Sequence, residues 1–499
     1  MITVYLTKIE YEYDIQTLVK AFYPNEEIKV LPLGNVEEIS LQCAYCEDVL
    51  SIHIQLEEDK ILLKATKQDK KLYELSSVKS LQNEKEYKNH LKRELYKLLN
   101  ELSNTQLPWG ILTGVRPTKL ALEPLLHGGD VEKIKEHLRN EYLCSEKKVD
   151  LSIDIAKREL ELLQKIDYKN SYSIYIGIPF CPSTCLYCSF TSYSAEKFKD
   201  LMDLYIEALM KEISYAKTAF KDKKLSTIYI GGGTPTTLSA EQLDRLLTYV
   251  ANSFDVKNLM EYTVEAGRPD SITLEKLQVL KKHGVSRISI NPQTMLQKTL
   301  DVIGRKHTVE QIIEAYHMAR EVGHDNINMD IIIGLPGETK EDVAYTLSEI
   351  HKLNPDSLTV HTLAIKRAAR LNIQKENYKD MKAYDAKEML ELTTTYAKEN
   401  NYIPYYLYRQ KNMADNLENT GYAQYGKECI YNILIMEEKQ TILALGAGSM
   451  SKFVFHGENR IERVDNVKSL NDYINRIDEM IERKINFIGN NRSELERIF

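Results

Sequence analysis

Three of the chain's seven cysteines fall within eight residues, in the run Ile178-Pro179-Phe180-Cys181-Pro182-Ser183-Thr184-Cys185-Leu186-Tyr187-Cys188. Three soft thiolates this close together suit a soft metal ion or an iron–sulfur cluster. Structural zinc takes four ligands, and the sequence offers no fourth Cys or His nearby. A 4Fe-4S cluster held by three thiolates leaves one iron open for a further ligand. Of the others, Cys43 and Cys46 form a C-x2-C without a companion pair, and Cys144 and Cys429 stand alone, so all four read as ordinary thiols.

Further candidates follow along the chain. Gly231-Gly232-Gly233-Thr234-Pro235-Thr236 is a glycine edge whose backbone amides and carbonyls can meet an ammonium or a carboxylate. Glu265 and Gln293 each end a β-rich run, Arg305 is suited to pairing with a carboxylate, and Asp330 sits in the apolar run Ile327–Ile333. A carboxylate in such a strand needs a partner. His361 stands near the end of a later run, as a pocket group or a satisfied core residue. Lys366, Arg367 and Arg370 form a basic stretch just beyond it, either solvated or facing carboxylates. Gly421-x4-Gly426-Lys427 has the outline of a phosphate loop, but Glu428 replaces the magnesium-binding Ser or Thr, so it reads as chance.

The elements that must position these residues alternate. Apolar, β-rich runs occur at Tyr172–Ile178, Thr227–Ile230, Tyr262–Val264, Arg287–Ile290, Ile327–Ile333 and Ser357–Leu363. Helical periodicity fills the gaps, most clearly at Phe198, Met202, Tyr205, Leu209, Ile213, Ala216 and Phe220. Strands alternating with helices predict an α/β fold with a parallel sheet, open or partly closed as a barrel, whose chemistry lies at the strands' carboxyl ends. Residues 166–385 form this core; residues 1–165 predict an α+β domain, and residues 386–499 a smaller C-terminal region. In the first part, β-rich runs at Ile2–Leu6, Glu27–Leu33, Leu50–Leu56 and Ile61–Thr66 precede a helix marked by Tyr87, Leu91, Leu95, Leu98 and Leu102. The lysines from Lys67 to Lys97 read as a solvated face of that helix and its approach.

With 43% hydrophobic and 28% charged residues, the 499-residue chain is of ordinary globular composition. A net charge of −7 argues against a nucleic-acid-binding footprint. No basic segment followed by a long apolar stretch opens the sequence, and no apolar run is long enough to span a bilayer. A cytoplasmic protein without a membrane span is expected.

The cysteine motif is that of radical S-adenosylmethionine enzymes, and from about Ser171 to Lys452 the chain resembles the oxygen-independent coproporphyrinogen III dehydrogenase family, closest to its HemZ-like branch. The resemblance rests on Tyr175-x5-Cys181, the cysteine motif, the Gly-Gly-Gly-Thr-Pro-Thr run, Asn291-Pro292-Gln293, Asp330 with Gly334-Leu335-Pro336, and Gly446-Ala447-Gly448-Ser449. It implies a partial (β/α)6 TIM-like barrel, a 4Fe-4S cluster on Cys181, Cys185 and Cys188, and S-adenosylmethionine on the open iron. It further implies contacts with S-adenosylmethionine from Tyr175, Tyr187, Gly232, Gly233, Thr234, Glu265, Gln293, Arg305, Asp330 and Ala364, with a second such molecule in the site. The implied activity is oxidative decarboxylation of two propionates of a porphyrinogen to vinyls, in heme biosynthesis, with an electron donor for the cluster. Lys366, Arg367 and Arg370 then become candidates for meeting the propionates. The family also includes heme-binding chaperones, and a radical enzyme with another substrate is a third reading. Two positions depart from the founding enzymes: Phe190 replaces a fourth cysteine and Gly177 replaces a histidine.

Overall fold

The computed structural model describes residues 1–24, 26–33, 50–57, 60–67, 70–78, 83–114, 116–364, 371, 386–410, 417–457 and 460–491. Two compact units account for them: Met1–Ala156 with Arg409–Glu418, and Lys157–Tyr408 with Asn419–Phe499.

The first unit holds a five-stranded sheet of β1 (Ile2–Leu6), β2 (Ile28–Pro32), β3 (Leu50–Leu56), β4 (Lys60–Lys67) and β5 (Lys70–Val78), ordered β2-β1-β3-β4-β5. β1 is parallel to both its neighbours, and β3, β4 and β5 run antiparallel. The helix Glu84–Ser103 buries Tyr87, Leu91, Leu95, Leu98 and Leu99, as the periodicity requires, and Asn83 caps its start through the Glu86 amide. β5 was missed by sequence, because its lysine-rich start reads as the approach to that helix. Trp109, fully buried, donates its indole N–H to Glu418 Oε2 at 2.7 Å, and Lys148 pairs with the same carboxylate. Glu418 is therefore held in this unit by an ion pair, while Arg409 donates to the Leu112 carbonyl at 2.6 Å.

The second unit contains the alternating strands, in a sheet of eleven. β6 (Ser171–Ile178), β9 (Lys224–Gly232), β10 (Glu261–Gly267), β11 (Arg287–Ile290), β12 (Ile327–Ile333) and β13 (Ser357–Thr362) lie side by side in chain order and are all parallel. A short parallel pair, β7 (Phe180–Cys181) and β8 (Tyr193–Ser194), folds over the loop after β6. Residues of the C-terminal part extend this same sheet on both flanks. β14 (Ile403–Tyr408) and β15 (Asn419–Ala423) add antiparallel strands beside β13. On the other flank β16 (Thr441–Leu445) is parallel to β6, followed by antiparallel β17 (Met450–Phe455) and β18 (Arg460–Asp465). The result is the expected α/β, partly barrel-like architecture.

The connecting helices start sharply because their sequences carry reciprocal caps: Ser239 with Gln242, Thr308 with Gln311 and Thr339 with Asp342. The helix Met202–Ala219 buries Met202, Tyr205, Ile206, Leu209, Ile213 and Ala216, the face read from its spacing. Among the described residues no helix is long and apolar enough to cross a membrane.

Candidate functional site

Strands of a sheet covered on both faces are buried along their whole length. Four core strands break that rule once each. Every residue of β6 is buried except Tyr175, of β10 except Glu265, of β12 except Asp330, and of β13 except His361. All four side chains are polar; Tyr175, Glu265 and His361 lie toward the carboxyl ends, where the fold places its chemistry, and Asp330 at the middle of β12.

The cysteines arrive at the same end. Chain leaving β6 turns through Pro179 into Cys181, and the Thr234 hydroxyl approaches Cys181 Sγ at 3.6 Å. The glycine run makes that approach possible. Gly232 has φ +109°, and a Cβ at Gly233 would lie 2.5 Å from the Phe180 carbonyl oxygen and 2.9 Å from that of Ile178. Those carbonyls accept from the Thr234 amide at 2.7 Å and the Gly233 amide at 2.8 Å, so the two motifs are laced backbone to backbone. Only glycine fits there.

Cys185 is buried, and Arg268 Nη1 lies 3.9 Å from its sulfur. Cys188 follows in the same turn, its amide bonded to the Cys185 carbonyl at 3.2 Å. Burial, above all, pushes the Cys181 thiol up to about 11, with further upward push from Cys188 and Cys185. Iron binding would displace that proton, because metal ligation requires the thiolate. The described residues hold no ready-made cluster of three His, Cys, Asp or Glu ligands around one point. The three cysteines thus share a loop and one another's electrostatic influence.

The remaining residues named from sequence are linked to neighbours across the same sheet. Tyr175 stacks against Tyr229 and Tyr431, at centroid separations of 6.2 and 6.3 Å. Tyr229 donates its hydroxyl to Glu265 Oε1 at 2.6 Å. Burial lifts the Glu265 carboxyl to about 7, assisted by the charge of Asp330 and opposed by Tyr229. Asp330 behaves oppositely. Burial pushes it up, but His361, Asn328 and Thr359 outweigh that and leave it below the usual range; its Oδ2 lies 3.8 Å from His361 Nε2, and Asn328 donates at 2.6 Å. His361 is thereby the partner that a carboxylate in this strand requires.

Gln293 has φ +68°, a left-handed backbone rare outside glycine and asparagine. Two backbone bonds to the β12 edge, at 2.9 Å from its amide to the Asp330 carbonyl and from the Ile332 amide to its own carbonyl, hold it there. Its side-chain Oε1 is buried and has no hydrogen-bond partner among the described residues. Arg305, also buried, donates to Tyr187 Oη at 3.2 Å and to the Asn291 carbonyl at 2.6 Å, leaving its Nε without a partner among the described residues. A ligand bonded to these two atoms would satisfy them. Ala364 lies two residues beyond β13, next to Leu363, whose amide donates to the Ile333 carbonyl at 3.0 Å. Lys366, Arg367 and Arg370, like Cys43 and Cys46, lie outside the described residues.

Three participants escaped the sequence reading. Tyr229 was hidden inside a β-rich run. Arg268 and Asp270 had a visible signal, a charge pair flanking Pro269 directly after a strand end. The donor set fits the group that the cysteine spacing calls for: three thiols, a glycine cradle that a Cβ would fill, orphaned polar atoms, and carboxylates with opposite protonation tendencies.

Residues 175–350 match the model of the Radical SAM superfamily. The chain is 45% identical over 408 residues to the oxygen-independent coproporphyrinogen-III oxidase-like protein HemZ of Bacillus subtilis (strain 168), covering 81% of each chain. It is 31% identical over 311 residues to the heme chaperone HemW of the same organism, covering 62% of this chain and 76% of that one. Among solved structures, the radical SAM enzyme coproporphyrinogen III oxidase (HemN) of Escherichia coli superposes with a TM-score of 0.50 at 24% identity, over 65% of this chain and 73% of that one, a likeness of fold.

Proposed function

Because the chain belongs to the radical SAM superfamily and, within it, to the family of oxygen-independent coproporphyrinogen III oxidase-like proteins, we propose that it is a coproporphyrinogen III dehydrogenase. It would convert two propionates of the porphyrinogen to vinyls, each giving up one hydrogen atom to a carbon-centred radical, carbon dioxide, and one electron to an external acceptor, to form protoporphyrinogen IX. The family's cofactors are a 4Fe-4S cluster and S-adenosylmethionine. When bound, they supply a carbon-centred radical able to take a hydrogen atom from a propionate side chain.

The observation that carries this reading is the alignment of four half-open polar residues, Tyr175, Glu265, Asp330 and His361, beside the cysteine loop. In this reading Cys181, Cys185 and Cys188 hold the cluster. Backbone groups of Gly232 and Gly233, with the Thr234 hydroxyl, bind the amino-acid end of S-adenosylmethionine. Glu265 and Asp330 supply anionic or proton-accepting oxygens, Gln293 Oε1 and Arg305 Nε complete their unmet bonds on it, and Tyr175, Tyr187 and Ala364 shape the wall. Burial of these groups excludes water, which protects a radical from quenching. Lys366, Arg367 and Arg370 remain candidates for the propionates, a second S-adenosylmethionine is part of the proposal, and an external electron donor reduces the cluster.

A second reading, heme binding as in the chaperone relative, is favoured by the 76% coverage of that protein. One anaerobic experiment separates them: reconstituted protein, dithionite, S-adenosylmethionine and coproporphyrinogen III, assayed for 5′-deoxyadenosine and vinyl products. Both products establish the dehydrogenase. 5′-Deoxyadenosine alone keeps a radical enzyme with another substrate. Neither product, with the cluster intact and heme bound stoichiometrically, favours the chaperone.

A further inference from the structure

Against the cysteine loop sits a buried charge, Arg268, to which the proposed function assigns no task. Arg268 follows Gly267, whose φ of +65° swings the chain off the end of β10. The guanidinium is almost wholly buried, with 4% of its side chain exposed. Every arm of it is committed. Nε and Nη2 form a fork on Asp270, at 2.9 and 2.6 Å. Nη1 donates to Ser183 Oγ at 2.7 Å and to the Ser183 carbonyl at 3.0 Å, and lies 3.9 Å from Cys185 Sγ. Ser183 in turn donates to the Gly304 carbonyl at 3.2 Å, and the Leu186 amide to that of Ile303 at 2.9 Å. The loop between the first two cysteines is thus pinned between two turns, and Arg268 is the pin on one side.

The charge balance of this group is uneven. Two buried guanidinium groups, Arg268 and Arg305, stand against one carboxylate, Asp270. His307, fully buried with its Nδ1 3.8 Å from Asp270 Oδ1, adds no charge at neutral pH; burial, then Arg305, press it down to about 3. One positive charge therefore remains unbalanced against the cysteine loop. It is shielded from water, where charges act strongly and salt screens little.

We infer that Arg268 is a positioning residue with an electrostatic duty: it fixes the stretch from Ser183 to Cys185 through the serine, and its charge beside Cys185 eases one-electron reduction of the cluster held there. The charge and hydrogen bonding around a cluster's sulfurs are among the levers that set its potential. A reducible cluster is what the proposed activity requires, so this inference rests on that reading. Lysine could keep the charge but not the fork, since only a guanidinium presents donors to Asp270, Ser183 and Cys185 at once.

The test is the midpoint potential of the reconstituted cluster, titrated with dithionite and followed by electron paramagnetic resonance, with iron content measured in parallel. Wild type that binds no iron counts against the proposed function rather than against this inference. In iron-loaded protein, Arg268→Met is expected to lower the reduced-to-oxidised ratio at a fixed potential at least tenfold, equivalent to about 59 mV for one electron. Arg268→Lys should restore most of that loss. Asp270→Asn removes the opposing charge and should move the ratio the other way. An unchanged potential in Arg268→Met with full iron overturns the inference. Shifts of the same sign in Arg268→Met and Asp270→Asn also overturn it, because that is the pattern of mere loosening. If Arg268→Met does not retain iron, Asp270→Asn decides alone: a raised ratio supports the electrostatic role, and an unchanged or lowered one refutes it.

Discussion

Replacing Lys484 by methionine tests how the carboxyl end of β16 is held beside that of β6. Lys484 and Glu212 form an ion pair at 2.7 Å with both side chains at 0% exposure. Glu212 also accepts from Asn466 Nδ2 at 2.8 Å, from the Gly446 amide at 2.8 Å and from Tyr473 at 2.6 Å. Lys484 donates again to Asn466 Oδ1 at 2.6 Å. The network thereby fixes the Gly446–Ser449 turn, where Tyr205 donates to the Gly177 carbonyl at 2.6 Å and accepts from the Ala447 amide at 3.1 Å. Removing one partner of a buried pair strands the other charge, at about 3–5 kcal/mol. The orphaned Asn466 oxygen adds about 1 kcal/mol, so a loss of about 4–6 kcal/mol is expected for Lys484→Met. Glu212→Gln in the same chain should recover about 2 kcal/mol, since the uncompensated charge is then gone. Urea unfolding followed by tyrosine near-ultraviolet circular dichroism at pH 8 reads both effects. The single tryptophan, Trp109, lies in the other unit and serves as an internal control by fluorescence. A cost below about 1 kcal/mol, or no recovery in the double variant, would refute the reasoning, because the expected cost comes from an uncompensated buried charge.

Cys181→Ala should abolish iron loading after reconstitution while circular dichroism stays native; unchanged iron content would sink the cluster assignment. Gly233→Ala forces a methyl against two carbonyl oxygens, at 2.5 and 2.9 Å, and should cost about 1–3 kcal/mol together with most S-adenosylmethionine binding; wild-type affinity by equilibrium dialysis would contradict the cradle. Glu265, raised to about 7, is neutral below that pH and ionised above it. Affinity for the cationic S-adenosylmethionine, to which it is proposed to supply an anionic oxygen, should therefore fall as pH drops from 8 to 6, and Glu265→Gln should flatten that dependence. Glu159 and Glu437 are buried near one another, and burial, then the charge of Glu437, drive the Glu159 carboxyl upward. A raised pKa costs stability once pH exceeds the unfolded-state value, so Glu159→Gln should stabilise the chain at pH 8 and matter little at pH 4; a destabilised variant at pH 8 would count against this.

The six parallel strands were legible because buried strands carry nearly unbroken apolar runs, and two of them, Arg287–Ile290 and Ile327–Ile333, have the bounds that the residues suggested. The cysteine loop was legible because three thiols within eight residues of a cysteine-poor chain suit little besides metal ligation. What the sequence could not display is partnership across distance. Asp330 called for a partner, but that the partner is His361 depends on β12 and β13 pairing in a register that sets Asp330 against Thr359 and Ile332 against His361. The left-handed Gln293 has no local cause at all, since it is imposed by two bonds to β12. The C-terminal strands were illegible for the same reason: β14 and β15 are joined through a segment held in the other unit, a separation no local pattern encodes.

Register also explains why so many chemically unlike residues face one opening. Side chains alternate along a strand, and paired residues in adjacent strands point to the same side of the sheet. Tyr175 is paired with Tyr229, Tyr229 with Thr263, Glu265 with Ser289, and Asp330 with Thr359. A single side of the sheet thus carries Tyr175, Tyr229, Thr263 and Glu265, with Ser289 beside them and Asp330 near the same height. A slip of one residue in any strand would send its polar group to the helix-covered side, where it would be buried without a partner at a cost of about 1–3 kcal/mol. The flanking strands resist such slips, because the parallel core would otherwise end in two unpaired edges. β15 and β14 cover one and β16, β17 and β18 the other. Strands β14 to β18 therefore bear on the site through the sheet itself: by closing its flanks they hold the register that keeps Glu265 and Asp330 on that side.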